Sequence, residues 1–512
     1  MFHEFKPLNL SEPFKGLASI LNGQDFLTKI KPDIVRQNDS GYRAKAISEL
    51  KNLKNQGTET VTNKLKSDPY LAPLSLSAYT FVNDTIVKST VKFVLEKMFP
   101  LVSPTKGESI SVIAVGGYGR AEMAPYSDVD LLFLTPYKQT AWGENVIESI
   151  LYILWDLGLK VGHSVRNVEE SLRLARSDIT IRTALLENRF ISGEVELAQE
   201  LNRRLWKEVF ENTGSEFISG KLDERDIRHQ KQGSERYLLE PNIKEGKGGL
   251  RDLQTLYWIS KYVYKIKRKE DLLSFNIFSA DHLNLFSEAE DFLWTVRCSL
   301  HLFSGRANEI LSFDIQVSLA NSLGFKDYGG LLAVERFMQS YFLHAKNVGE
   351  LTRILLARME SQHVKEKPSI VKEIKKAFVG VDISEEKGFF ITHGRLNMEN
   401  SGEFINNPIN LIKLFQNGLK TRRLIHPNAL HLVANNVHRV DKKFIGSKEA
   451  TSIFLDLLLN YGDPERALRR MNEVGFLGKF IPEFERIMGM MQFNMYHKYT
   501  VDEHTIQCVK TL

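Results

Sequence analysis

The residues best suited to chemistry lie between Val115 and Leu134, in VGGYGRAEMAPYSDVDLLFL. Gly116 and Gly117 end one apolar run, ten residues pass, and Asp128 and Asp130 then open a second. Alternate side chains of a strand share a face. Asp128 and Asp130 would therefore point the same way, with Cα atoms about 6.6–6.8 Å apart. Val129, Leu131 and Phe133 would line the other face and hold the strand in the core. Two carboxylates at a strand start suit a hard divalent cation, which prefers oxygen ligands. Such a cation, Mg²⁺ with Mn²⁺ as its substitute, also bridges the phosphates of a nucleoside triphosphate. Paired metals stabilise both oxygens of an in-line displacement. The glycines complement this chemistry. Without Cβ atoms, Gly116 and Gly117 let backbone amides approach phosphate closely, and Gly119 frees the turn further. Arg120 is placed to put a guanidinium on a phosphate, and Ser127 to add a hydroxyl to the triphosphate.

Other phosphate-binding patterns fit less well. GGYGRAE is not G-x-G-x-x-G, because Glu122 stands where the third glycine belongs, and no P-loop signature occurs anywhere. A lone Asp-x-Asp is common and usually means nothing. The whole constellation of strand, Gly-Gly, ten residues, Asp-x-Asp and strand is far more specific. It resembles the nucleotidyltransferase fold of the DNA polymerase β superfamily. That resemblance implies a third acid on a later strand. The next strand candidate, KVGHSVR, carries His163 and no carboxylate. Asp178 and Glu187, in SDITIRTALLENRF, are the nearest alternatives, although acids in such positions more often cap helices or face solvent.

The elements that must hold these groups are readable by periodicity. Ser111–Val115, Val129–Leu134 and Lys160–Val165 read as strands. Val146, Ile147, Ile150, Leu151 and Leu154 recur at helical spacing between Trp142 and Leu157, and Gly158 is a suitable stop. Arg43–Met98 reads as helical. Beyond Glu194 helical patterns dominate, at Leu253–Tyr264, Ala280–Leu302, Leu331–Met359, Ile409–Asn417, Lys448–Leu459 and Pro464–Val474, with a short strand near Gly388–Thr392. The fold class expected is α+β.

Bulk composition sets the limits. The chain has 512 residues, and at roughly 100–200 residues per domain about three domains are expected. A net charge of +5 offers no argument for nucleic acid. Cys298 and Cys508, far apart, exclude a disulfide framework and a cysteine-rich zinc site. The N-terminus MFHEFKPLNL lacks signal-peptide character and no 18-residue apolar run occurs. No membrane association is expected, and the cytoplasm is the expected compartment.

Five further stretches narrow the resemblance: GHSVRNVEE (162–170), EPNIKEGKGGLRDLQTLYW (240–258), ERFMQSYFLHAKNVGELTRIL (335–355), LRRMNEVGFLGKFIPEF (468–484) and MYHKYTVDEHT (495–505). With the Gly-Gly/Asp-x-Asp unit they look like the bifunctional uridylyltransferase/uridylyl-removing enzymes of bacterial nitrogen regulation. The resemblance runs from about residue 70 to the last residue. It implies UMP transfer from UTP to a tyrosine of the small PII signalling protein, with Gly116, Gly117, Asp128 and Asp130 in the catalytic motif. It also implies removal of UMP by an HD-type phosphohydrolase domain, and glutamine sensing in C-terminal ACT domains.

His504 in VDEHT matches the first histidine of the HD metal set, but no His-Asp dipeptide follows before Leu512. The expectation is a chain cut inside a helix of a longer protein, with hydrolysis and glutamine control absent. Thr500 and Glu503 would form a capping box for that helix, with Ile506 and Val509 on its buried stripe; His497 reads as an ordinary helix histidine. The expected domains are a helical lead-in (1–69), a nucleotidyltransferase domain (70–200), a helical domain packing on it (201–365), a linker and helical region (366–490) and an incomplete HD domain (491–512). A solvated connection is expected near 364–376.

EGKGGLRD raises a second glycine question. Lys244, Lys247 and Arg251 surround Gly246, Gly248 and Gly249. They could close over a triphosphate or a base, or form a tight loop that starts a helix. Two rival functions stand beside the main reading: another nucleotidyltransferase, such as an adenylyltransferase or one acting on RNA ends, and a non-catalytic module that binds nucleotide or PII.

Overall fold

Four short strands, laid into one mixed sheet, position the Gly-Gly/Asp-x-Asp unit. They are β1 (Ser111–Ala114), β2 (Val129–Thr135), β3 (Val161–Asn167) and β4 (Arg189–Gly193), in the order β3-β2-β1-β4. β1 runs antiparallel to both β2 and β4, whereas β2 and β3 are parallel. The computed structural model describes residues 8, 10–21, 40–102, 105–137, 140–232, 238–275, 277–363, 387–392, 395–400, 402–493 and 499–511. Its architecture is α+β and mostly helical. It divides into two compact units, one of Met1–Ile227, Tyr257–Lys265 and Trp294–Glu309, the other of Arg228–Leu256, Ile266–Leu293 and Ile310–Leu512.

In the first unit Val129, Leu131 and Phe133 are buried as read from the sequence, but so are Leu132 and Leu134 on the aspartate face, so β2 is covered on both sides. Val129 and Leu131–Thr135 are buried, and Asp130 interrupts them as a half-buried residue. The helix after β2 spans Ala141–Asp156, begun by Thr140, whose hydroxyl accepts from Gly143 N–H at 3.1 Å. It buries Val146, Ile147, Ile150, Leu151 and Leu154, and Gly158 adopts φ +74 just beyond it. The long helical stretch expected from Arg43 is two helices, Ser40–Ser67 and Ala72–Phe93. Pro69 divides them, with the Asp68 carboxylate capping the short turn by accepting from Tyr70 N–H. β4 had no counterpart in the sequence reading: RFISG is short and only Ile191 is buried.

The second unit is helical apart from a hairpin of β5 (Phe389–Thr392) and β6 (Arg395–Met398). Its helices include Ala333–His363, Ile409–Lys420, Lys448–Leu459, Pro464–Glu473 and Val501–Thr511, most of them near their expected bounds. Residues 389–506 share one apolar core that includes Leu411, Phe415, Met471, Phe476 and Ile506. Ile506 is buried and Val509 packs against that core, as the stripe requires. The capping box is not formed. The Glu503 carboxylate is buried against Arg469, and the buried Thr500 hydroxyl has no hydrogen-bond partner among the described residues. The 364–376 connection lies outside the described residues, and so does His497. Among the described residues no helix is long and apolar enough to cross a membrane.

Candidate active site

Asp130 is the centre of the sequence constellation. Its peptide sits between the other two strands: Val115 N–H donates to Asp130 O at 3.1 Å, and Asp130 is in register with Gly162 of β3. Two glycines clear space for its carboxylate. A Cβ on Gly162 would lie 2.4 Å from Asp130 Oδ1, and one on Gly116 would lie 3.4 Å from Oδ2. Gly116 also needs its left-handed φ of +61 to turn out of β1. So the end of β1, the start of β2 and the start of β3 meet at one carboxylate. Asp128, just ahead of β2, is exposed, and Ser127 beside it is half-buried. Gly162, within GHSVRNVEE, carries no local signal of its part; its register with Asp130 supplies it.

The remaining expectations divide. Around Gly117 there is room: the nearest atoms to a Cβ there would be Glu122 O at 3.7 Å and Arg120 at 3.8 Å. Gly119 is different. Its N–H donates to Val115 O at 3.0 Å, and a Cβ would lie 2.0 Å from Glu187 O and 2.9 Å from Ala114 O. Gly119 therefore serves close backbone packing, and its amide is already committed.

Arg120, expected on a phosphate, is a correction of the same kind. Its side chain is 8% exposed, paired with Glu122 at 2.8 Å and Glu187 at 3.4 Å, and its guanidinium lies 5.5 Å from the Trp258 ring centroid. Glu187 in turn accepts from Lys261 Nζ at 3.0 Å. A buried carboxylate between two cations belongs to an internal ion-pair cluster, so Glu187 is accounted for without a metal. Asp178 caps the helix Ile179–Leu186, accepting from Thr180 and Ile181 N–H at 2.7 and 3.0 Å. Neither acid joins Asp128 and Asp130. Among the described residues no group of three or more His, Cys, Asp or Glu side chains could hold a metal.

Residues that the sequence left unmarked anchor the GGYG turn from below. Arg189, on β4, forms a bidentate pair with Asp84 at 2.6 and 3.0 Å. The same guanidinium donates to Tyr118 O at 3.0 Å and Gly119 O at 3.2 Å. Burial first, then the Asp84 carboxylate, push the Tyr118 phenol well above its ordinary pKa.

The second glycine loop is closed on itself. Asn242 Oδ1 accepts from Lys244 and Glu245 N–H, Asn242 O from Gly246, Gly246 O from Gly249, and Ile243 O from Leu250. Gly248 N–H donates to Asp252 Oδ2 at 2.8 Å. A Cβ would lie 2.4 Å from Asn242 O at Gly246, 2.5 Å from Ala345 O at Gly248 and 2.5 Å from Ile243 O at Gly249. The loop is the tight helix start, not a phosphate cradle. Asp252 also binds His229 Nε2 at 3.0 and 3.1 Å and pairs with Arg228. His504 is an exposed residue whose Nε2 lies 3.7 Å from Cys508 Sγ.

Residues 216–356 match the family described as GlnD PII-uridylyltransferase, and residues 389–480 the one described as uridylyltransferase GlnD third domain. Both segments lie C-terminal to the Gly116–Asp130 unit. A bifunctional uridylyltransferase/uridylyl-removing enzyme of Ruegeria pomeroyi is 50% identical over 474 residues, 93% of this chain and 52% of its own length. One of Cereibacter sphaeroides is 51% identical over 470 residues, 92% of this chain and 50% of its own. The chain thus spans about half the length of the curated relatives it matches.

Proposed function

Since the chain belongs to the family of these bifunctional uridylyltransferase/uridylyl-removing enzymes, we propose that it transfers UMP from UTP to a tyrosine of the PII protein, in nitrogen regulation. The observation that carries this reading is the meeting of Gly116, Gly162 and Asp130 at the ends of three strands, with Asp128 exposed beside them. In this reading residues 70–200 are a polymerase-β-type nucleotidyltransferase domain. Residues 201–365 are its helical companion and 366–490 lead into an HD domain that begins at 491–512, with His504 as a metal ligand.

A divalent cation fits the donors present. Mg²⁺ is ordinarily held by one or two carboxylates together with substrate phosphates, and the missing Cβ atoms of Gly116 and Gly162 give the Asp130 carboxylate its room. Asp128 and Asp130 would hold the ion, with Mn²⁺ as a substitute. When bound, it supplies positive charge against the charge that develops on the leaving pyrophosphate. The chain's own part is positioning. The Gly116–Gly117 turn lets the triphosphate lie close to backbone, Ser127 is near enough to the carboxylates to offer a hydroxyl, and Arg189 holds the turn still. The acceptor's phenol oxygen bonds to the α-phosphorus as the bond to pyrophosphate breaks. Its ordinary pKa near 10 means its proton must be taken by a base as attack proceeds.

Incubating the chain with PII, UTP and Mg²⁺, and reading PII by mass, tests the proposal. One added UMP per PII subunit is expected. Labelled ATP and CTP run alongside should leave PII unlabelled. Binding of UTP with no metal-dependent transfer would favour the non-catalytic reading instead.

A further inference from the structure

The segment that delivers Asp128 to the site is held in an unfavourable backbone shape. Between Arg120 and Asp128, Ala121 and Tyr126 both take left-handed conformations, at φ +63 and +62. Non-glycine residues persist there only when their surroundings over-determine them. Tyr126 and Asp128 are exposed, so their own side chains do not supply that restraint. Met123, Ala124 and Pro125 are buried, and Ser127 N–H closes a turn onto Ala124 O at 3.2 Å.

A side chain from another element reaches into this segment. His301 lies on the helix Ala280–Ser304, is fully buried, and places Nδ1 2.8 Å from Pro125 O. A carbonyl only accepts, so Nδ1 carries the hydrogen. On the other side of the ring, Nε2 stands 3.5 Å from Glu309 Oε1. Glu309 is itself fixed by Arg297, which donates to it at 3.1, 2.9 and 2.6 Å. The ring is thus bonded in front to a peptide three residues before Asp128, with the Glu309 carboxylate near its other edge but not hydrogen-bonded to it.

We infer that His301 is a positioning residue for nucleotidyl transfer: its hydrogen bond to Pro125 O fixes the segment that aims the Asp128 carboxylate. The inference rests on the proposed function for its kinetic consequence, but its structural core concerns metal affinity alone. Histidine suits the task because it offers a donor close to the backbone and fills the interior with a ring. Leucine keeps apolar bulk and removes the donor, stranding a buried carbonyl. Asparagine keeps a donor near the Nδ1 position.

The test compares the parent chain with His301→Leu and His301→Asn, each first checked by circular dichroism and thermal melting. Mn²⁺ binding in the presence of UTP is titrated by electron paramagnetic resonance, and transfer to PII is followed separately. His301→Leu should need about tenfold more Mn²⁺ for half-occupancy. At saturating metal its kcat should fall by about 10²-fold, the scale of a misplaced catalytic group, with KM for UTP changed less than about threefold. His301→Asn should return both quantities to within about fivefold of the parent. Mn²⁺ affinity of folded His301→Leu within twofold of the parent overturns the inference, and so does a His301→Asn variant as defective as the leucine one. If leucine prevents folding, asparagine decides alone, with hydrogen exchange of residues 123–128: parent-like protection and Mn²⁺ affinity support the inference, and loss of either overturns it. A parent chain that binds Mn²⁺ and UTP but never labels PII sinks the proposed function and leaves the Mn²⁺ comparison to judge His301.

Discussion

Two glycine-rich loops look alike on the page and differ in what surrounds them. GGYGR and EGKGGLR both pair glycines with a basic residue. In the first, Gly116 and Gly117 have space where a side chain would be, and the nearest atoms are 3.4 Å or more away. In the second, the same space is filled with backbone at 2.4–2.5 Å. Glycine marks either a place where something must enter or a place where the chain has already entered. Gly119 shows that both kinds occur within one motif. The arrangement of the anchors differs as well. Asp252 grips the closed loop directly through Gly248 N–H, while in the segment that follows the open loop Glu309 stands behind His301, and the imidazole makes the contact with Pro125 O.

The largest effect that tests this contrast is on activity. Asp130→Asn keeps the shape of the residue between Gly116 and Gly162 but removes its charge. Transfer to PII should fall by at least about 10²–10³-fold, with the melting temperature nearly unchanged. Transfer persisting near the parent rate would mean that the open loop is not the reaction site. In the closed loop the damage should fall on stability instead. Gly248→Ala must adopt φ +85 and meet Ala345 O at 2.5 Å. Left-handed strain and overpacking together should cost about 3 kcal/mol, a fall of roughly 5–10 °C in melting temperature. A Gly248→Ala protein as stable as the parent would remove the distinction between the two loops.

The anchors provide an acid test of intermediate size. Burial alone would raise the Glu309 carboxyl, but His301 and Arg297 hold it at about 2, below its ordinary 4.5. Burial likewise opposes ionisation of Asp252, and His229, Arg228 and Gly248 N–H outweigh it, leaving the carboxyl below its ordinary value. Both groups are depressed in the fold. Their stabilisation is therefore full above the unfolded pKa and is lost as pH falls toward the folded one. For Glu309 that is on the order of 3 kcal/mol, disappearing between about pH 4.5 and pH 2. Glu309→Gln should be less stable than the parent at neutral pH and converge with it near pH 2, as read by denaturant melts across that range. A constant difference at every pH would exclude a charge-based anchor.

How much of this was legible depended on range. Helices with strong periodicity, such as Ala141–Asp156, stand out because their signal is local: a cap, a stripe and a glycine stop. The Asp128–Asp130 alternation was equally local. What the sequence hid was decided by partners far along the chain. Arg120 looks free beside a glycine turn until Glu187 and Trp258 are folded against it. Glu187 looks like a spare acid until Lys261 arrives. Gly162 acquires meaning only from strand register, and β4 is too short for its pattern to rise above noise. Ion pairs and registers cost nothing in local sequence, so periodicity cannot report them.

The smallest structural change should give the sharpest reading of the open loop. Gly117 lies inside the helical turn Gly116–Gly119 without the positive φ of Gly116, and a Cβ there would meet nothing closer than 3.7 Å. Gly117→Ala therefore costs the fold little, and the lost freedom of the unfolded chain favours it by about 0.4–1 kcal/mol. If the space beside Gly117 is where phosphate approaches backbone, that methyl group stands in its way. KM for UTP should rise by about tenfold, the worth of roughly 1.4 kcal/mol of lost contact, while the melting temperature holds or increases slightly. Unchanged kinetics would show that the opening at Gly117 is not used, and would shift the cradle to Gly116 and Gly162 alone. Stability and binding moving in opposite directions on one methyl group is the signature that separates a space kept for a ligand from a space left by packing.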